Sequence, residues 1–133
     1  VLTLLSAIGW RAALAPGRAA IGYPVLKAVT GAALIATGIF HQGLSHDLVS
    51  YTSLIASIVG LFVLAVRLHG ERFWRGWAAY AIGSALLMMA FLAVFGALIP
   101  HGGGGVFEKL ATITGSLFVI LLTVRVLSHD SRV

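Results

Sequence analysis

The chain has 133 residues, 59% of them hydrophobic and only 10% charged, with a mean hydropathy of +1.02 and a formal net charge of +5. A soluble domain carries about a quarter of its residues as charged side chains, so this composition excludes an ordinary water-soluble globule. The basic residues do not gather into the patch or stripe that nucleic acid requires, and the absence of cysteine excludes disulfides, thiol chemistry and thiolate metal sites.

The first ten residues, Val1 to Trp10, form an apolar run that stops at Arg11. No charged region precedes it and no small-residue cleavage site follows, so it does not read as a signal peptide. Ten helical residues cover only about 15 Å of a ~30 Å hydrocarbon core. The expectation is a partial helix over residues 1–14, the second half of a transmembrane segment, with the chain a piece of a longer protein.

Four fuller stretches follow, at residues 21–40, 48–66, 77–99 and 107–124. Each approaches or exceeds the ~20 apolar residues that cross a bilayer, and in lipid only helices and closed barrels satisfy their own backbone. The first is entered past Pro24, a residue tolerated in a first helical turn. Lys27 falls about one turn inside that end, from where its ammonium can snorkel to the headgroups. The predicted fold is all-α: one integral membrane helical bundle over residues 1–133, with four complete transmembrane helices and a truncated N-terminal one.

The breaks between these stretches differ in charge. Arg11 and Arg18 precede the first full stretch, Arg67, Arg72 and Arg75 separate the second from the third, and Arg125 and Arg132 close the chain. The other two breaks carry only Lys109. Because Lys and Arg are retained on the cytoplasmic side, residues 11–20, 67–76 and the C-terminus are predicted inside, and 41–47 and 100–106 outside. Counting Lys27, eight basic residues fall inside against one outside. Tyr23, Phe73, Trp74 and Trp77 then lie at the inner interface, and Phe40 and Phe107 at the outer one. Arg67, Arg72, Trp74, Arg75, Trp77 and Arg125 are the expected interface anchors, with anionic headgroups as their partner. The implied location is the cytoplasmic membrane of a bacterium.

Each full stretch also carries two small residues four apart: Ala32 and Ala36, Ala56 and Gly60, Ala79 and Gly83, Ala111 and Gly115. Such ridges let helices approach closely. Ser50, Thr52, Ser53, Ser57, Thr112, Thr114 and Ser116 are candidates for interhelical hydrogen bonds, each worth about 0.6 kcal/mol.

Candidate chemistry gathers on the outer face, where His41, His46, Asp47, His101 and Glu108 fall. Imidazole with carboxylate suits a borderline metal or a proton-transfer pair. His41 and His46 are five apart, which is not one helix face, and no HExxH spacing exists. Asp47 and Glu108 each fall in a first helical turn, where the helix dipole and a capping role account for a carboxylate without function. No histidine lies inside a span, so haem ligation is not expected, and no cofactor is implied. His101 with Gly102–Gly105 lacks the Gly-Lys-Ser/Thr ending of a phosphate loop and reads as a turn.

Several motifs follow one another in a familiar order. An outer Leu-Ser-His-Asp at 44–47 leads into a Ser/Ala-rich span. Arg-Gly-Trp-Ala-Ala-Tyr at 75–80 opens another. Gly-Val-Phe-Glu-Lys-Leu at 105–110 enters a last span, which ends Leu-Thr-Val-Arg-Val-Leu at 122–127. In these motifs the chain resembles the C-terminal two-thirds of the bacterial membrane-protein family catalogued as domain of unknown function 998. The resemblance implies further helices and places His46, Asp47 and Glu108 at positions where the family often has His-Asp or His-Gly, and Gln or Glu. It implies no activity, substrate or cofactor. The functional expectation is a non-enzymatic bundle: an accessory subunit beside other membrane subunits, a small-molecule binder or a transporter-like component. The alternative is an enzyme or metal site on the outer face.

Overall fold

The computed structural model describes residues 2–13, 18–40, 43–70, 74–98 and 105–130. They form α1 (Leu2–Ala13), α2 (Arg18–Ile39), α3 (Leu44–His69), α4 (Arg75–Leu98) and α5 (Gly105–Asp130), with no strand among the described residues. Four segments are long and apolar enough to cross a membrane: Ile21–Ile39, Leu44–His69, Arg75–Leu98 and Gly105–Arg125. The protein is a multi-pass, all-helical membrane bundle.

Helices α3, α4 and α5 start before the apolar stretches that announce them, and α3 and α5 also end beyond theirs. Backbone hydrogen bonding does not stop where hydropathy falls, so Leu44–Asp47 becomes the first turn of α3 and Arg67–His69 its last. The start of α2 corrects the sequence reading more sharply. The helix begins at Arg18, so Pro24 lies inside it rather than in its first turn. Proline there removes the N–H that would bond the carbonyl four residues earlier, a defect that neighbouring helices in a membrane can accommodate.

Helix α3 is the centre. Half of its most apolar window is buried, against 28% for α2 and α4 and 17% for α5. It packs along both α2 and α4; α5 packs on α4 and touches α3 only slightly, and α1 packs on α2. The core runs through Leu54, Leu61 and Leu64 of α3, Ala81, Ala85 and Met88 of α4, and Phe118 and Leu122 of α5. Much of the remaining apolar surface is exposed, including Ile113, Leu117, Ile120 and Leu121 on α5, as expected where acyl chains rather than water are the solvent.

Contact between α1 and α2 depends on Gly31. A Cβ built there would lie 2.9 Å from Leu4 Cγ and 3.1 Å from the Leu4 backbone nitrogen, so only glycine admits this approach. Nearby, Trp10 meets Tyr23 edge-on with ring centroids 5.5 Å apart. Of the four small-residue pairs, Ala56 with Gly60 and Ala111 with Gly115 lie at helix contacts. Gly60 faces Leu26 and Tyr23, and Gly115 faces Met88. Ala32, Ala79 and Gly83 are exposed; on α4 the contacting small residues are Ala78, Ala81 and Ala85 instead.

The expected anchors divide. Arg75 and Arg125 are exposed, Arg67, Trp74 and Trp77 are half-buried, and Arg72 lies outside the described residues, as does Phe73. Trp77 is more than an interface residue, because its ring packs against Tyr80 and Phe118 at centroid distances of 5.9 and 6.3 Å.

Candidate functional site

The expected location for chemistry was the face that carries His41, His46, Asp47, His101 and Glu108. His46 Nδ1 lies 2.6 Å from the Phe40 carbonyl oxygen. A carbonyl only accepts, so Nδ1 carries the proton and donates, tying the start of α3 to the end of α2. Asp47 is exposed in the first turn of α3, but it is not the cap. That position is Gly43, at φ 89°, with no side-chain capping bond. The backbone N–H of Asp47 donates to the Gly43 carbonyl at 3.2 Å. Glu108 is half-buried in the first turn of α5, and its carbonyl accepts from Thr112 Oγ1 at 3.0 Å. His41 and His101 lie outside the described residues. Among the described residues no three His, Cys, Asp or Glu side chains are grouped to hold a metal.

A different site lies inside the bundle. Among the described residues α2 and α5 nowhere approach each other within 8 Å between Cα atoms, although both flank α3. The gap between them is a cavity of about 60 Å³ with α3 as its floor. Tyr23, Lys27 and Thr30 line it from α2, Ser53, Ser57 and Gly60 from α3, and Thr112, Gly115 and Ser116 from α5. Every helix contributes, since Thr3 of α1 and Met88 of α4 also reach it. Among the described residues the lining contains one cation and no acid.

Lys27 is therefore not a snorkelling interfacial lysine. Thr30 is the middle residue of the Ile21–Ile39 span, and Lys27 lies three residues away, about 4.5 Å along the axis. Its side chain is half-buried and lines the cavity. Among the described residues neither a hydrogen bond nor an ion pair engages its ammonium. With Lys27 at membrane depth, the inside-to-outside basic bias rests on seven residues against one.

The hydroxyls around it have defined roles. Thr30 Oγ1 donates to the Leu26 carbonyl at 2.9 Å, which uses its only proton. The 3.3 Å contact with Ser57 Oγ must then be Ser57 donating to Thr30, and it joins α2 to α3. Thr112 likewise spends its proton on Glu108. Thr52 and Thr114, expected to bridge helices, bond the carbonyls of Leu48 and Leu110 in their own helices. Tyr23 is buried with its hydroxyl unpartnered, as is Ser50 Oγ on the same face of α3 as Ser53 and Ser57. The groove thus offers the Lys27 ammonium and the O–H groups of Ser53 and Ser116 as donors without an acceptor among the described residues. Hydroxyls accept as well as donate, but the formal charge among the described lining residues is positive, which in low dielectric favours an anion.

The sequence held a signal for this site. Lys27 with Thr30, Ser53 with Ser57, and Thr112 with Ser116 are polar residues three or four apart in the middle of otherwise apolar spans. Each puts a polar stripe on one helix face.

A family model described as Protein of unknown function (DUF998) matches residues 1–125, a stretch that contains every residue of the groove. No curated protein and no solved structure matches the chain. On the extent of the family match, the chain belongs to the DUF998 family.

Proposed function

We propose that this membrane protein binds a small anionic group within the bilayer, as a small-molecule binder or transporter-like component without catalytic machinery. The observation that carries the reading is Lys27, an unpaired cation at membrane depth facing a cavity lined by hydroxyls. An ionisable residue inside a membrane is costly and finds a counter-charge or a functional role. Among the described residues no acid in the lining supplies that counter-charge, so the ligand does.

The orientation proposed with this reading has residues 67–76 and the C-terminus in the cytoplasm of a bacterial cell. The seven arginines that fill alternate breaks between the apolar stretches of the sequence support it, with anionic headgroups as their counter-charge.

Ligand-dependent stabilisation tests the reading. A compound that binds only the folded state raises its unfolding temperature in proportion to the logarithm of saturation. Wild-type protein in neutral detergent should gain thermal stability from a carboxylate or phosphate compound, and Lys27→Met should not. Equal responses of both proteins across a panel of acetate, inorganic phosphate, oleate and their neutral analogues would refute it.

A further inference from the structure

The cavity lies between α2 and α5, the helices that do not meet over α3, and its lining includes the apolar Leu34 of α2 and Val119 of α5. Leu34 is 38% exposed, so the apolar edge of the cavity is continuous with the surface that faces acyl chains. We propose that the ligand is a long-chain carboxylate that enters from the bilayer, its head at Lys27 and its chain leaving between α2 and α5. This inference rests on the anion-binding reading above and adds the ligand's class and route.

Three features select that class. The first is charge: among the described residues Lys27 is the only cation in the lining and neutralises one negative charge, so a carboxylate is matched where a doubly charged phosphate monoester is not. The second is volume. A water needs about 10–15 Å³ by the same measure, so about 60 Å³ holds only a handful of small groups. A carboxylate with its first methylenes fits, and a sugar or inositol head does not. The third is donor placement. The carboxylate has two oxygens and about four lone-pair sites. Lys27, Ser53 and Ser116 supply donors from three helices around one cavity.

Depth supports the same choice. A water-soluble anion must leave water and enter a low-dielectric site near the middle of a span, at a cost of several kcal/mol. A fatty acid is already in the bilayer, and its head is neutral when protonated. It can cross the acyl region as the neutral acid and lose its carboxyl proton to water at the site, the O–H bond breaking to leave the carboxylate that pairs with the Lys27 ammonium.

Native mass spectrometry of the full chain released from neutral detergent tests this with three probes: oleate, oleyl alcohol and acetate. The expected result is retention of one oleate per chain, with neither oleyl alcohol nor acetate retained. Lys27→Met should weaken oleate retention about tenfold or more, the loss expected when one member of a buried charge pair is removed, and Lys27→Arg should restore part of it. Ser116→Phe, which fills the cavity from α5 and leaves Lys27 in place, should abolish retention too. Acetate retained as well as oleate would overturn the chain-bearing ligand and the lateral route while leaving the anion site intact. Retention of oleyl alcohol equal to that of oleate would overturn the charge recognition. Failure of folded wild-type protein to retain either anion would remove the anion site itself.

Discussion

Replacing Lys27 with Met should make the empty protein more stable. A lysine near the centre of a membrane helix costs about 2.5–3.5 kcal/mol on insertion scales. Lys27 is three residues from the middle of its span and half-exposed to a cavity that water can enter, so only part of that cost applies. Methionine keeps an unbranched, flexible stem against the same walls and removes the charge. The expected gain is roughly 1–2 kcal/mol, read as a higher unfolding temperature in neutral detergent and a buffer free of carboxylate and phosphate. Lys27→Gln, which keeps polarity without charge, should fall between the two. A site whose loss stabilises the fold while removing ligand response is maintained for binding, not for structure. If Lys27→Met were instead less stable than wild type, the ammonium would already be neutralised within the bundle, and the argument for an external anion would fail.

Other substitutions probe the packing and the frame. Gly31→Ala forces a Cβ against the Leu4 backbone and should cost about 1–3 kcal/mol. Gly38→Ala, which meets nothing within 4 Å, should be neutral or stabilising by up to about 1 kcal/mol; equal effects in thermal unfolding would refute the α1–α2 contact. Thr30→Val should lose about 0.6 kcal/mol of interhelical hydrogen bonding, and a double-mutant cycle with Ser57→Ala should show the two are coupled. For orientation, an impermeant maleimide on intact cells should label Ser45→Cys and not Ser128→Cys; the reverse pattern would invert the topology. His46→Ala should cost about 1 kcal/mol through loss of its bond to Phe40. One equivalent of zinc in the purified protein, lost in that variant, would favour a metal centre on the outer face instead.

The helices were legible because hydropathy and backbone satisfaction act locally. The groove was not, and Lys27 shows why. The span bounds hardly change between sequence and structure, 21–40 against Ile21–Ile39, so they do not separate an anchor from a site. What separates them is which face of α2 turns to the cavity, and only packing reveals that Lys27 is on it. Ser57 and Thr112 were visible as hydroxyls, but which of them crosses to another helix depends on packing. Ser57 meets Thr30 of α2, whereas Thr112 turns back to its own carbonyl. His46 read as a candidate ligand because its bond to Phe40 spans a chain reversal that spacing alone does not reveal.

The burial of Lys27 also bears on how the chain enters the bilayer. The α2 span has seven strongly apolar residues, namely Ile21, Val25, Leu26, Val29, Leu34, Ile35 and Ile39. At about 0.3–0.6 kcal/mol each they favour insertion by roughly 2–4 kcal/mol, nearly cancelled by the ~2.5–3.5 kcal/mol that lysine opposes. By itself α2 is poised between membrane and water. It is the least hydrophobic of the four spans, and the helix that follows it, α3, is far more so. Partition of α2 at the translocon is therefore coupled to the arrival of α3, whose Ser57 and Gly60 face are its docking surface. The residue that equips the groove for an anion is thus also the one that makes its own helix depend on its neighbour during biosynthesis.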